Sequence, residues 1–236
     1  PDAKVTRMKD KRTHLAHKAE HVVDLDTQAI VAVNLGDANE GDTSSMPWSL
    51  LRAELNLDTV AEDPRAARKL HGRRMAEVVA DKGYHSNEVL VDLRESRMRS
   101  HVSEPDRGRR KWKDKSEAQV AVYGNRRRIR SPRGNRLQKR RAEIVERGFA
   151  HAYDTGGMRR LHLRGRGNIL KRLLIHVAGF NLSLIMRKLL GTGTPRAFAA
   201  LLRSLRSLYE ALRSTLGAQG HRFWRRHRNY HQNHTQ

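Results

Sequence analysis

The sequence predicts an α/β domain with a mixed sheet flanked by helices and a helical C-terminal extension. Three observations carry that expectation. Apolar runs of strand length occur up to Val102, helix-period patterns separate them, and from Ser116 onward the patterns are helical only. The rest is arranged around Val78–Ser86, which reads Val-Val-Ala-Asp-Lys-Gly-Tyr-His-Ser. Its apolar run delivers Asp81 and then turns at Gly83, which supplies backbone freedom. Ser86 stands at the N-cap position of a helix carrying Val89, Leu90 and Leu93. Asp81 is therefore expected at the carboxyl end of a strand, where open α/β sheets bind ligands. The ordinary alternative is a carboxylate that caps the turn.

Taken in order, Val5–Arg12 is basic and irregular. Thr13–Asp24 and Ala29–Leu35 read as a β-hairpin, and the second strand is apolar enough to be buried on both faces. Gly36–Ser45 is an acidic loop, Met46–Leu57 has apolar residues at helical spacing, and Thr59–Gly72 is polar. Ala76–Asp81 is a strand, Asn87–Glu95 a helix and Met98–Val102 a further short strand. Ser103–Lys115 is a charged loop around Trp112. Two helices follow, Ser116–Arg130 and Arg136–Tyr153, separated by a break at Pro132–Asn135. A basic loop, Gly156–Gly167, precedes the most apolar helix, Asn168–Leu190. Thr194-Pro195 opens a last helix whose stripe, Leu201, Leu205, Leu208 and Leu212, reads as a core face or a dimer contact in preference to a membrane-surface helix. Residues 217–236 read as a basic, mobile tail. Strand, strand, helix, strand, helix, strand, then helices is the order of a ribonuclease H-like domain whose first strand is missing.

Charge narrows the partners. The net charge is +23, yet residues 1–100 hold 16 Lys/Arg and 17 Asp/Glu, while residues 101–236 hold 32 and 8. No carboxylate occurs between Thr155 and Tyr209. A surface that basic attracts polyanions, nucleic acid first and an anionic membrane second. The absence of Cys excludes disulfides and thiolate metal sites and fits a reducing cytoplasm. The polar start, Pro1-Asp2-Ala3-Lys4, has no signal-peptide pattern and no initiator Met, so the chain reads as part of a longer protein. Leu173–Met186 is interrupted by His176, Asn181 and Ser183, too short to span a bilayer, and reads as a buried helix.

Glu146 is the second carboxylate of interest, because it stands in the most basic part of the chain. Its ordinary role is charge balance with Arg147 or an i,i+4 neighbour. Its sharper role is metal ligation beside Asp81, since two Mg²⁺ or Mn²⁺ ions held by carboxylates can activate a nucleophile and stabilise the leaving oxygen of a phosphodiester. Hard oxygen ligands suit these ions, and the surrounding Arg and Lys suit a DNA backbone. Glu143, one turn earlier, is the rival ligand. Weaker candidates are His14, His17 and His21 for zinc, which a strand divides between two faces, and Asp37–Asp42, a calcium-like loop without its downstream Glu. Trp112 and Trp224 are candidates for base stacking.

Val78–Ser86 together with Ile144-Val145-Glu146-Arg147-Gly148-Phe149-Ala150-His151 resembles the second-Asp and Glu motifs of bacterial insertion-sequence transposases with a DDE domain. The stretches Gly156-Gly157-Met158-Arg159-Arg160, Asn168–Arg187 and Lys18-Ala19-Glu20-His21-Val22-Val23-Asp24 resemble the same subgroup, so the likeness runs from Pro1 to about Pro195. It implies a ribonuclease H-like fold and an Asp-Asp-Glu triad with Asp81 and Glu146 as two members. The first Asp of such a triad sits on the first strand, upstream of Pro1. Asp24 ends a strand too, but it lies in the hairpin that follows the catalytic strand in relatives. The Tyr, Arg and Lys accompanying the Glu in some relatives are replaced by Lys139, Ala142 and Tyr153.

The resemblance implies DNA transposition, with metal-dependent cleavage of transposon ends and strand transfer to target DNA. It implies Mg²⁺ or Mn²⁺, two ions in a complete enzyme, and double-stranded DNA as partner, with phosphate contacts from Arg126, Arg127, Arg128, Arg130, Arg159, Arg160 and Arg164. A homodimer is compatible with it and a membrane partner is not expected; the location would be the bacterial cytoplasm, at the nucleoid. On this reading residues 1–191 are a partial catalytic domain with a basic insertion near 103–136, followed by an amphipathic helix, 192–216, and the tail. The chain alone is expected to be inactive for want of the first Asp, and the alternative is a non-catalytic nucleic-acid-binding remnant.

Overall fold

The computed structural model describes residues 3–7, 11–106, 108, 110–191 and 199–214. Strands β1 (Lys4–Arg7), β2 (Thr13–Val23) and β3 (Ile30–Asp37) form an antiparallel sheet in that order. Strands β4 (Glu77–Ala80) and β5 (Arg99–Val102) form a separate parallel pair. The mixed α/β class therefore holds, but the single sheet expected from the sequence is two sheets among the described residues. β1 replaces the irregular segment expected at Val5–Arg12. Its only apolar residue is the exposed Val5, and it is held by backbone pairing with Thr13–Ala16, which leaves no hydrophobic signature.

Side chains alternate across β2 as the pleat requires. Glu20 points to α1 (Asp42–Ala61), where it meets Ser45 and Ser49, whereas Ala19 and Val23 join the apolar cluster on the other face. That cluster is built on Ile30, Val33 and Leu35 of β3 with Ala152, Met158, Ile169, Leu173 and Val177. A second core forms around β4 and β5, where Val78, Ala80 and Val102 pack with Val89, Leu90 and Leu93 of α3 (Asn87–Glu95) and Ala121 and Val122 of α4 (Ser116–Arg130). Met46 of α1 also enters this second core. A short helix, α2 (Pro64–Ala67), is capped by Asp63 in the stretch expected to be merely polar.

The break expected at Pro132–Asn135 is instead the first turn of α5 (Pro132–Ala150). Ser131 ends α4 and caps α5, its hydroxyl accepting the Gly134 N–H at 3.0 Å, and Pro132 takes the first helical position. Gly134 is needed because a Cβ there would strike the backbone of Arg128 and Ile129. α5 then crosses both sheets. Gln138 donates to Ala80 O and His101 O at the β4–β5 end, and Gly148 lies against Ile30 and His21 at the other. A π-helical turn, His151–Thr155, ends it.

The outer edge of β3 is taken up by side chains rather than by another strand. Asn181 of α6 (Arg166–Leu190) exchanges two 2.9 Å bonds with Ile30, Asn56 donates to Val31 O, and Arg166 donates to Leu35 O. α6 is longer than the apolar stretch marked in the sequence, and its length and mean hydropathy of 1.5 would suffice to cross a membrane. Its first half is nevertheless committed to the core through Ile169, Leu173 and Val177.

Residues from Leu182 onward form a second unit, of which the structure describes the end of α6 and a helix over residues 199–214, α7. Leu201, Leu205, Leu208 and Leu212 are all exposed on it, so among the described residues this stripe is not a core face. The opening of that helix at Thr194-Pro195, the tail and Trp224 lie outside the described residues.

Asn125 of α4 is fully buried and clasps β5 by exchanging two bonds with Val102, 2.9 and 2.8 Å. Asn125→Ala leaves a buried N–H and C=O unpaired and is expected to cost about 2–6 kcal/mol, at roughly 1–3 per orphaned group. Urea unfolding measures it.

Candidate active site

β4 ends at Ala80, and Asp81 follows at the carboxyl end of the strand, as its spacing predicts. Its carboxylate caps the 3₁₀ turn Lys82–Tyr84, accepting the Lys82 N–H at 2.7 Å, and is otherwise exposed. Ser86 caps α3 by accepting the Val89 N–H at 3.0 Å.

Just behind this turn is a buried polar cluster that the sequence motifs did not single out. Glu20, 5 % exposed, accepts hydrogen bonds from Ser45 at 2.5 Å, Ser49 at 2.6 Å and the Tyr84 hydroxyl at 3.1 Å. Lys18 lies 2.9 Å from Glu20 Oε1 and 2.6 Å from Asp42 Oδ1, and its ammonium also donates to Ser45 Oγ at 3.0 Å. Gly83 does not adopt a positive φ, so the turn does not use glycine's backbone freedom; a Cβ there would meet the Asp42 carboxylate, which would have to shift away from its place in this cluster. The signal was available: Lys18 and Glu20 are two apart in a strand and must share a face.

The electrostatics follow the contacts. Burial pushes the Glu20 carboxyl up, but hydrogen bonds from Ser45, Ser49 and Lys18 outweigh it and hold the group below its ordinary value. Burial lowers Lys18, and the bonds to Asp42 and Glu20 more than reverse that. Tyr84 is pushed up by burial and by the carboxylates of Glu20 and Asp42, so it remains a neutral donor.

Glu146 lies on α5, which is anchored beside Asp81 by Gln138. It sits eight residues beyond Gln138, about 12 Å along the helix axis at 1.5 Å per residue. α5 buries Gly134, Ile144 and Gly148, while Glu146 and Glu143 are exposed. Arg147 pairs with Glu143 rather than with Glu146, which has no ion-pair partner among the described residues. On the far face of β2, His21 stacks on Phe149 with centroids 4.2 Å apart, and burial drives its pKa down to about 4. The described residues contain no group of three His, Asp or Glu side chains placed to hold a metal ion. Oxygen donors suit Mg²⁺ or Mn²⁺, but Asp81 and Glu146 alone do not make a two-ion cage.

The seven arginines divide by what they already hold. Arg126 is bidentate to Glu104 at 2.6 and 2.8 Å, and this pair holds the Glu104 carboxyl below its ordinary value. Arg128 donates twice to Ser100, at 2.7 Å each, fixing α4 to β5. Arg159 pairs with Asp154 at 2.8 Å. Arg127 and Arg130 in the last turn of α4, and Arg160 and Arg164 in the loop before α6, are exposed.

Other candidates resolve into structural roles. Asp24 accepts the Thr27 N–H and hydroxyl at 2.9 and 2.5 Å and shapes the hairpin turn. Of the stretch expected to be an acidic loop, Asp37 ends β3 and faces Arg166 at 3.6 Å, and Asp42 opens α1 and faces Lys18. Trp112 packs on the β4–β5 core beside Arg110 and Tyr123.

The fold and site thus define an α/β protein with a carboxylate at a strand end and basic helices after it. Residues 93–186 match the family model for the transposase DDE domain. That stretch holds Glu146 and all seven arginines, though not Asp81, and over it the resemblance to DDE transposases is established. No curated protein and no solved structure matches the chain.

The Glu20 cluster is tested by Glu20→Gln, expected to cost about 1–3 kcal/mol at neutral pH by weakening bonds to a buried charge. Because the folded carboxyl titrates below 4.5, its contribution is full above that value and is lost as pH falls through the lower folded value. The gap in unfolding free energy between wild type and variant should therefore narrow as pH falls below 4.5, as urea titrations at successive pH values would show.

Proposed function

We propose that this chain is the C-terminal part of a DNA transposase of the DDE type, with Asp81 and Glu146 as two of its three metal-binding carboxylates. The observation that carries this reading is the family match over residues 93–186, which contains Glu146 in the helix that crosses the end of β4 beside Asp81. The family acts on DNA with divalent metal, and when bound the ions would supply an activated nucleophile and charge stabilisation at the phosphodiester. This chain's own residues would ligate from the two carboxylates and hold the DNA backbone through Arg127, Arg130, Arg160 and Arg164.

The sheet division supports the same reading. β2 is flanked by β1 along Thr13–Ala16 and by β3 from His17 onward, and β4 pairs only with β5 among the described strands; the first strand of a ribonuclease H-like sheet would run beside β4. That strand is the natural source of the missing Asp. A second reading, a DNA-binding remnant without chemistry, rests on the same exposed basic residues, Arg127, Arg130, Arg160 and Arg164.

Run on this chain preceded by the first strand that the proposal requires, end-cleavage and strand-transfer assays in Mg²⁺ and Mn²⁺ separate the two. Turnover that is lost in Asp81→Asn and Glu146→Gln, with DNA binding intact, supports the enzyme; no turnover in any form supports the remnant. Arg127→Ala with Arg130→Ala should weaken duplex binding and flatten the dependence of log affinity on log salt by about 2, at roughly 0.9 per phosphate contact. Arg126→Ala should instead lower stability, because it strips the half-buried Glu104 of its bidentate partner.

A further inference from the structure

We propose that the cavity beside the outer edge of β3 binds an unpaired nucleobase of single-stranded DNA, with Trp48 as its stacking platform; this rests on the reading of the chain as a DNA-binding protein. The cavity is about 560 Å³ and is lined by Asn34, Asp37, Asn39, Glu40, Trp48, Arg52 and Arg166. That size falls within the roughly 300–1,000 Å³ typical of small-ligand clefts.

Trp48 is not a core residue. α1 buries Ser45, Met46, Ser49 and Ala53, and leaves the indole 66 % exposed on its flank. A large aromatic left in water at the mouth of a cavity presents a face on which a planar ring can stack, and every base offers one. The polar groups around it match a base carrying its phosphate. Asn34 and Asn39 present both donors and acceptors to a base edge. Arg52, one helical turn from Trp48 and on the same side of α1, is placed to meet the attached phosphate.

The rim is fixed rather than free to collapse. Arg166 Nε donates to Leu35 O at 2.6 Å, and its Nη1 lies 3.6 Å from Asp37 Oδ1, which offsets one of the two acids lining the cavity, Asp37 and Glu40. In a duplex the bases are stacked and paired, so their faces cannot reach Trp48. The site therefore takes single strands or opened ends, and its affinity adds to that of the basic surface instead of replacing it.

The test compares binding of the whole chain to a strand of ten deoxyadenosines and to an equally long abasic strand, at one salt concentration. The wild type is expected to prefer the base-bearing strand at least about fivefold, the low end of stacking on one aromatic side chain. Trp48→Ala should bring that preference below about twofold, leave abasic binding and the thermal midpoint unchanged, and Trp48→Phe should restore much of it. A wild type that binds both strands equally, or a preference that survives Trp48→Ala, overturns the site while leaving the DNA-binding reading intact. Failure to bind either strand overturns that reading and the site with it.

Discussion

A buried, ionised carboxylate constrains this fold more than any apolar contact does. Glu20 is on β2, Ser45 and Ser49 are on α1, and Tyr84 ends the turn that begins at Asp81. Four donors from three elements converge on one carboxylate because a charge removed from water is tolerated only when its lone pairs are occupied. The cost of disrupting any one bond is thereby shared by all three elements. The 3.1 Å bond from Tyr84 also passes from the β4 side to β2, so it joins two sheets that share no strand pairing. The position of the candidate site is set from behind, by a network that has no part in its chemistry.

The two sheets are joined on the opposite face by α5. Gln138 at one end takes carbonyls of β4 and β5, while Gly148 and Phe149 at the other lie against β2 and β3. The outer edge of β3 is treated differently, its backbone groups being occupied by Asn56, Arg166 and Asn181. One edge is thus closed by side chains, and among the described residues the two sheets are bridged by the Glu20 cluster and by two helices, α5 and α1, whose Met46 enters the β4–β5 core.

Much of this was legible in the sequence because it depended on local chemistry. The strand–turn–helix unit at Asp81, the cap at Ser86, and the bounds of α3 and α4 followed from apolar periodicity and from residues with known capping geometry. β1 was hidden, since a strand held by backbone pairing and flanked by Lys and Arg carries no hydrophobic pattern. Pro132–Asn135 was misjudged for a related reason. Pro and Gly mark a break in isolation, but here Ser131 caps the next helix and Gly134 admits the backbone of α4. The Glu20 cluster needed the tertiary fold, because its partners lie 25, 29 and 64 residues away.

Basic charge divides along the same line between local and tertiary information. A count of arginines suggests a uniform phosphate-binding face, yet the structure gives Arg126 to Glu104 and Arg128 to Ser100. Both hold α4 to β5 and its following loop, and so brace the strand that pairs with β4, the strand that leads into Asp81. Their neighbours Arg127 and Arg130 point outward, as a helix of 3.6 residues per turn requires when the residues between them face inward. Positive charge on α4 therefore has two uses that sequence spacing alone cannot separate. Removing an inward guanidinium would unsettle β5 and the end of β4 with it, whereas removing an outward one would change only the field that a polyanion meets.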